Sequence, residues 1–190
     1  MLFEPAEYTS AAGFQYTVRS AAPEDAGAIA EFIKVMSTET EFLPWEYVEG
    51  MRCMEYVRGY IDQFSSDPRR MAITAWKGED LIALYELTNF GNEKPVGHRC
   101  IIVPGVRRAY WGTGVAKTLF EALISEAIRL GYEQVEGNVD CDNRRSYGLL
   151  HKLGYMDYGI CPRHDKLEDG SYHDVCRVIK WLDPEVEKLR

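Results

Sequence analysis

The chain has 190 residues, 46% of them apolar and 27% charged, which suits one folded domain or at most two small ones and excludes a disordered tract, a collagen and a coiled coil. Thirty acidic against 22 basic residues leave a formal charge of −8, and a surface of that sign repels nucleic acid and anionic membranes while tolerating a cationic partner such as an amine. The five cysteines, Cys53, Cys100, Cys141, Cys161 and Cys176, are odd in number and form no CxxC pair, so no metal site is expected and reduced thiols in a cytoplasmic protein are the simplest reading.

Residues 1–15 form a polar N-terminal extension carrying Glu4 and Glu7, without the basic-then-apolar order of a secretory signal. Residues 16–19 read as a short strand. Ala22-Pro-Glu-Asp25 opens a helix, with proline in its first turn and acids at its positive end; Ile29, Phe32, Ile33 and Met36 form its apolar stripe. Residues 37–43 are expected to break it, and Pro44 to start a second helix. There Val48, Met51, Met54, Val57, Ile61 and Phe64 recur at three- and four-residue steps. Residues 71–76 and 81–87 make a hairpin around Lys77-Gly-Glu-Asp80, and 96–106 is continuous enough for a buried strand. In the second half, helices at 115–130 and 144–153 both exit through Leu-Gly-Tyr. Strands are expected at 134–139, 155–160 and 175–182. No apolar run approaches the roughly 20 residues of a membrane helix. The fold class is α/β, with a mixed, mostly antiparallel sheet flanked by helices in a single domain over 16–190.

The most informative segment joins a strand to a helix: Val106-Arg-Arg-Ala-Tyr-Trp-Gly-Thr-Gly-Val-Ala116. Gly112 and Gly114 let the backbone approach a ligand, and the helix behind them presents unpaired N–H groups at its positive end. That combination can cradle a pyrophosphate; it also serves a tight turn with close helix–sheet packing. A P-loop is excluded because no Gly-Lys-Ser/Thr follows. A Rossmann fingerprint fits poorly, since the loop comes after antiparallel strands and lacks the third glycine.

The loop resembles the acetyl-CoA-binding motif of the GNAT superfamily of N-acetyltransferases, bacterial type: Arg or Gln, two residues, Gly, one residue, then Gly or Ala. Trp111, Gly114 and Ala116 hold those places, with Trp111 a departure. Downstream, Asn143, Ser146, Leu149, Leu153, Gly154 and Tyr155 follow the superfamily's second pattern. The helix–helix–hairpin order and the closing hairpin at 167–174 are also similar, so the likeness runs from residue 16 onward. It implies transfer of acetyl from acetyl-CoA, as co-substrate and without a metal, to a primary amine on a small molecule or a protein N-terminus by direct attack. A non-catalytic acyl-CoA-binding module of the same fold is the alternative. Homodimers are common in the superfamily.

The resemblance places the donor on main-chain atoms near Val103, Pro104, Gly105 and Val106 and on the loop of Trp111, Gly112, Thr113, Gly114, Val115, Ala116 and Lys117. Asn143 would bond the pantetheine arm or order the loop, cap the following helix, or do both. A backbone N–H freed where two parallel strands separate would serve the oxyanion. For the base, counting back from Gly114 favours His98, whose ordinary pKa suits the task. Counting from Val106 favours position 100, a cysteine, which should share a face with His98. His98 can equally be a hydrogen-bonded strand residue. Glu39 and Glu41, in Ser-Thr-Glu-Thr-Glu-Phe-Leu, would line the acceptor side and hold the amine or relay its proton; Ser37 or Thr38 with Glu41 also has capping-box spacing. Glu86 is a further acceptor-side carboxylate, on what reads as a solvated strand face. The superfamily's acid, a tyrosine seven residues after the asparagine, is Leu150 here, so Tyr147, one turn earlier and next to His151, takes its place, packing being its other role. A thiolate route through Cys100 or Cys141 lacks an activator in sequence.

Overall fold

The computed structural model describes residues 2–42, 54–91, 93–167 and 169–183. Its strands are β1 (Ala6–Thr9), β2 (Gln15–Ser20), β3 (Met71–Lys77), β4 (Asp80–Asn89), β5 (Arg99–Val106), β6 (Gln134–Asp140), β7 (Met156–Lys166) and β8 (Tyr172–Trp181). The helices are α1 (Ala26–Glu39), α2 (Met54–Ser66), α3 (Val115–Arg129) and α4 (Arg144–Lys152). The sheet order is β1-β2-β3-β4-β5-β6-β8-β7. β5 and β6 run parallel; β1/β2, β2/β3, β3/β4, β6/β8 and β7/β8 are antiparallel. This is the mixed, mostly antiparallel α/β sheet expected from the sequence. A parallel pair needs a crossover, and α3 supplies it between β5 and β6. No described helix is long and apolar enough to cross a membrane. The chain divides into two compact units, Met1–Thr88 with Val103–Phe120, and Asn89–Ile102 with Glu121–Arg190.

In the first unit, Ile29, Phe32, Ile33 and Met36 of α1 and Val57, Ile61 and Phe64 of α2 form one buried cluster with Ala72, Leu81 and Leu84. Each such side chain contributes about 1.5–3 kcal/mol by leaving water. The entry to α1 is held by Asp25, whose carboxylate accepts from the Ala22 N–H at 2.9 Å and from both Arg19 guanidinium nitrogens at 2.6 and 2.7 Å. The helix does not break at Ser37. The Ser37 and Thr38 hydroxyls donate back to the Lys34 and Val35 carbonyls at 2.8 Å, and α1 continues to Glu39. With those hydroxyls engaged, no capping box with Glu41 forms. The expected start at Pro44, with Val48 and Met51, lies outside the described residues. The extension 1–15 is more structured than its polarity suggested, since β1 lies within it and pairs from Ala6↔Val18 to Thr9↔Gln15.

In the second unit, β5 and β6 pair through Arg99↔Gln134, Cys100↔Val135 and Ile101↔Glu136. Along β6, buried Val135 and Val139 alternate with buried Gln134, Glu136 and Asp140. Glu136 accepts from Arg99 at 2.5 and 2.9 Å, from Gln134 at 2.7 Å and from the Tyr158 hydroxyl at 3.0 Å. Burial opposes its charge, but these donors outweigh that and hold its pKa below the ordinary value. The two Leu-Gly-Tyr exits close identically. Tyr132 and Tyr155 N–H donate to Ala127 and Leu150 carbonyls, and Gly131 and Gly154 N–H to Ile128 and His151, all at 3.0 Å, the paired bonds of a Schellman cap. The expectation of reduced thiols is corrected at one pair. Cys141 and Cys176, 35 residues apart, form a disulfide with Cα atoms 5.5 Å apart, because the β6/β8 register sets Val139 opposite Cys176. Cys100 and Cys161 are free.

Candidate active site

The glycine loop belongs to the first unit. β5 runs into a single 3-10 turn at Arg108–Tyr110, and then Gly112 and Gly114 take φ of +78° and +89°, a backbone region costly for any residue with a Cβ. A Cβ on Gly114 would make only ordinary contacts with Ala11, so conformation, not crowding, calls for glycine there. The Thr118 N–H donates to the Gly114 carbonyl at 3.1 Å. The Val115 and Ala116 amides therefore precede the first intrahelical donor, Thr118, at the positive end of a 15-residue helix. Trp111 braces the loop, its indole N–H donating to the Val106 carbonyl at 2.7 Å, and the Thr113 hydroxyl donates to the Tyr110 carbonyl at 2.6 Å. Lys117 is exposed on the first helical turn. Amides, a dipole and one nearby cation suit a diphosphate.

All three expected carboxylates lie in the same unit, in very different settings. Glu86 is not on a solvated face: it is buried in the middle of β4, where six of its neighbours, Leu81 to Leu87, are buried too. Its carboxyl receives the Tyr60 hydroxyl of α2, and burial pushes its pKa up to about 8. Glu39 ends α1 and reaches the start of the glycine loop. Its carboxylate accepts from Arg107 Nε at 3.2 Å and from the Arg108 N–H at 2.7 Å, while the Arg108 guanidinium donates to the Glu39 carbonyl. Glu41 is exposed just past the helix. Val103 and Pro104 are half-buried and Gly105 and Val106 buried, on the last half of β5.

His98, Asn143 and Tyr147 fall in the second unit. His98 lies one residue before β5, which begins at Arg99. It ends the preceding turn, half-buried, with its carbonyl accepting from the Glu133 N–H at 2.9 Å. Asn143 caps α4, its side chain accepting from the Ser146 N–H at 3.1 Å. The Tyr147 hydroxyl donates to Asp157 at 2.6 Å, and that bond raises its pKa, making it a weaker acid. A grouping that spacing could not reveal is Asp140 with His173 and Asp142, whose ligand-type atoms all lie within 4.8 Å of one another. Both oxygens of Asp140 are engaged, by the Asp142 N–H at 2.8 Å and by His173 Nδ1. The group closes the end of the β6/β8 ladder.

A loop whose geometry suits a diphosphate and a buried carboxyl of raised pKa thus lie within one unit. The sequence profile of the acetyltransferase (GNAT) family matches residues 35–155, and the chain belongs to that family. Solved structures with the same fold include a GNAT-family acetyltransferase from Streptococcus pneumoniae, 22% identical over 87% of this chain and 99% of that one, with a TM-score of 0.81. Another is yncA from Salmonella typhimurium with its cofactor acetyl-CoA, 18% identical over 88% of this chain and 94% of that one, TM-score 0.77. The ribosomal-protein-alanine N-acetyltransferase from Brucella melitensis is 18% identical over 86% and 98%, TM-score 0.75. A comparison with curated proteins finds no match.

Proposed function

We propose that the protein transfers the acetyl group of acetyl-CoA directly to a primary amine, on a small molecule or a protein N-terminus, with Glu86 as the general base. The observation that carries the donor is the loop itself: left-handed Gly112 and Gly114 ahead of the free end of α3. The main chain from Trp111 to Lys117 would bind the diphosphate, and the β5 backbone from Val103 to Val106 would run along the rest of the donor.

The base follows from chemistry. An incoming ammonium must lose a proton before its nitrogen can attack, and a carboxyl with a pKa near the operating pH accepts one best. Glu86, at about 8, has that property, whereas Glu39 is committed to Arg107 and Arg108. In the step, Glu86 takes the ammonium's proton, the neutral nitrogen then bonds to the carbonyl carbon and releases its second proton to solvent, and the carbon–sulfur bond breaks. The thiolate leaves and takes a proton from solvent. A backbone N–H would stabilise the transient oxyanion. Tyr147, tied to Asp157, is a poorer proton donor than solvent needs it to be.

The test is acetyl-CoA turnover against a panel of primary amines and N-terminal peptides, with calorimetry of coenzyme A beside it. Binding together with amide formation supports the reading. Binding with no transfer to any acceptor favours the non-catalytic module, and absence of binding removes both.

A further inference from the structure

We infer that Glu39 is a positioning residue for the donor: its clamp on Arg107 and Arg108 sets the affinity for acetyl-CoA without touching the reacting atoms. The inference rests on the reading of residues 111–117 as the diphosphate cradle. Three contacts build the clamp. The Glu39 carboxylate takes the Arg107 guanidinium at 3.2 Å and the Arg108 N–H at 2.7 Å, and the Glu39 carbonyl takes the Arg108 guanidinium. Glu39 is the last residue of a helix whose Ile29, Phe32, Ile33 and Met36 are locked into the buried cluster, so the clamp has a rigid base.

The other end of the loop is held as well. The Ala11 N–H donates to the Thr113 carbonyl at 2.8 Å, and Phe14 packs edge-on against Tyr110 with centroids 5.6 Å apart. The segment from Arg107 to Thr113 is thus fastened at entry and exit by residues outside the glycine motif. A loop ordered before its ligand arrives loses less conformational freedom on binding, and that difference appears as affinity. Removing Glu39 also releases the Arg107 guanidinium at the start of the loop. An exposed, unanchored arginine contributes little, so the loss of order dominates.

The experiment is calorimetry of acetyl-CoA on the wild type, Glu39→Ala, Glu39→Gln and Arg107→Gln, with hydrogen exchange of residues 107–114. Glutamine at 39 can still accept from the Arg108 N–H, so it should rescue in part. We expect Kd to rise about tenfold for Glu39→Ala and about threefold for either glutamine variant. Exchange in the loop should be faster in Glu39→Ala, and kcat at saturating acetyl-CoA should stay within about twofold on any amine the wild type accepts. Wild-type affinity or tighter in Glu39→Ala overturns the inference, as does a collapse of kcat at unchanged Kd, which would make Glu39 catalytic. Absence of acetyl-CoA heat in the wild type defeats the reading of the loop itself, and the exchange measurement then still reports whether the clamp orders it. Should Glu39→Ala not fold, the two glutamine variants carry the same comparison.

Discussion

Glu86 shows how one side chain's surroundings move an ordinary carboxyl's titration toward neutral pH. Its carboxyl sits at about 8 against an ordinary value of 4.5, and burial is the cause. Catalysis by it therefore requires deprotonation, and turnover should climb with pH toward about 8, a limb that Glu86→Gln should erase. We expect that variant to lose at least about 10²-fold in kcat while binding coenzyme A like the wild type. Stability runs the other way. Between the unfolded and folded pKa values the native state holds a proton that the unfolded chain has lost, so stability is fullest below about 4.5 and falls as pH rises to about 8. The slope is at most about 1.4 kcal/mol per pH unit, and Glu86→Gln should flatten it in chemical denaturation at several pH values. In sequence, a lone acid in 81–87 looks like a solvent-facing strand residue. Only the coverage of both faces of β4 reverses that.

At the scale of elements, the local rules were readable. Asn143 was expected as a cap or a ligand, and it caps α4 through the Ser146 N–H. Asn143→Ala should cost about 1 kcal/mol, visible as a lowered melting temperature. The matching Leu-Gly-Tyr exits end their helices with matching bonds because the chemistry lies within six residues. The glycine loop is equally local. Gly114→Ala forces an alanine to a φ of +89°, at a cost of about 1–2 kcal/mol, and should weaken coenzyme A binding through the displaced amides in calorimetry. What the pattern misjudged were edges. The run at 96–106 looked uniformly strand-like, yet 94–98 form a turn, with the Val96 and Gly97 N–H groups bonding back to the Glu93 carbonyl and the Arg99 N–H to that of Val96. His98 was thereby moved off the strand.

Across the whole molecule, the disulfide is the clearest departure from expectation. An odd, scattered set of cysteines gives no pairing by spacing, and β6 beside β8 decided it. Joining residues 35 apart, it should contribute about 2–4 kcal/mol. A reductant should therefore lower the melting temperature of the wild type, and Cys141→Ser should show the lower value with or without it.

The amino-acid sequence by itself determined the class of fold, the glycine loop, the helix caps and the family, because each of these is written in residues a few positions apart whose backbone preferences and periodicity act locally. Tertiary structure alone decided the partners. Tyr60 meets Glu86 across 26 positions, His173 meets Asp140 across 33, and Arg108 meets Glu39 across 69. Contacts of that range exist only once the sheet order has brought distant strands and helix ends side by side, and burial at one of those meetings lifts the pKa of the Glu86 carboxyl.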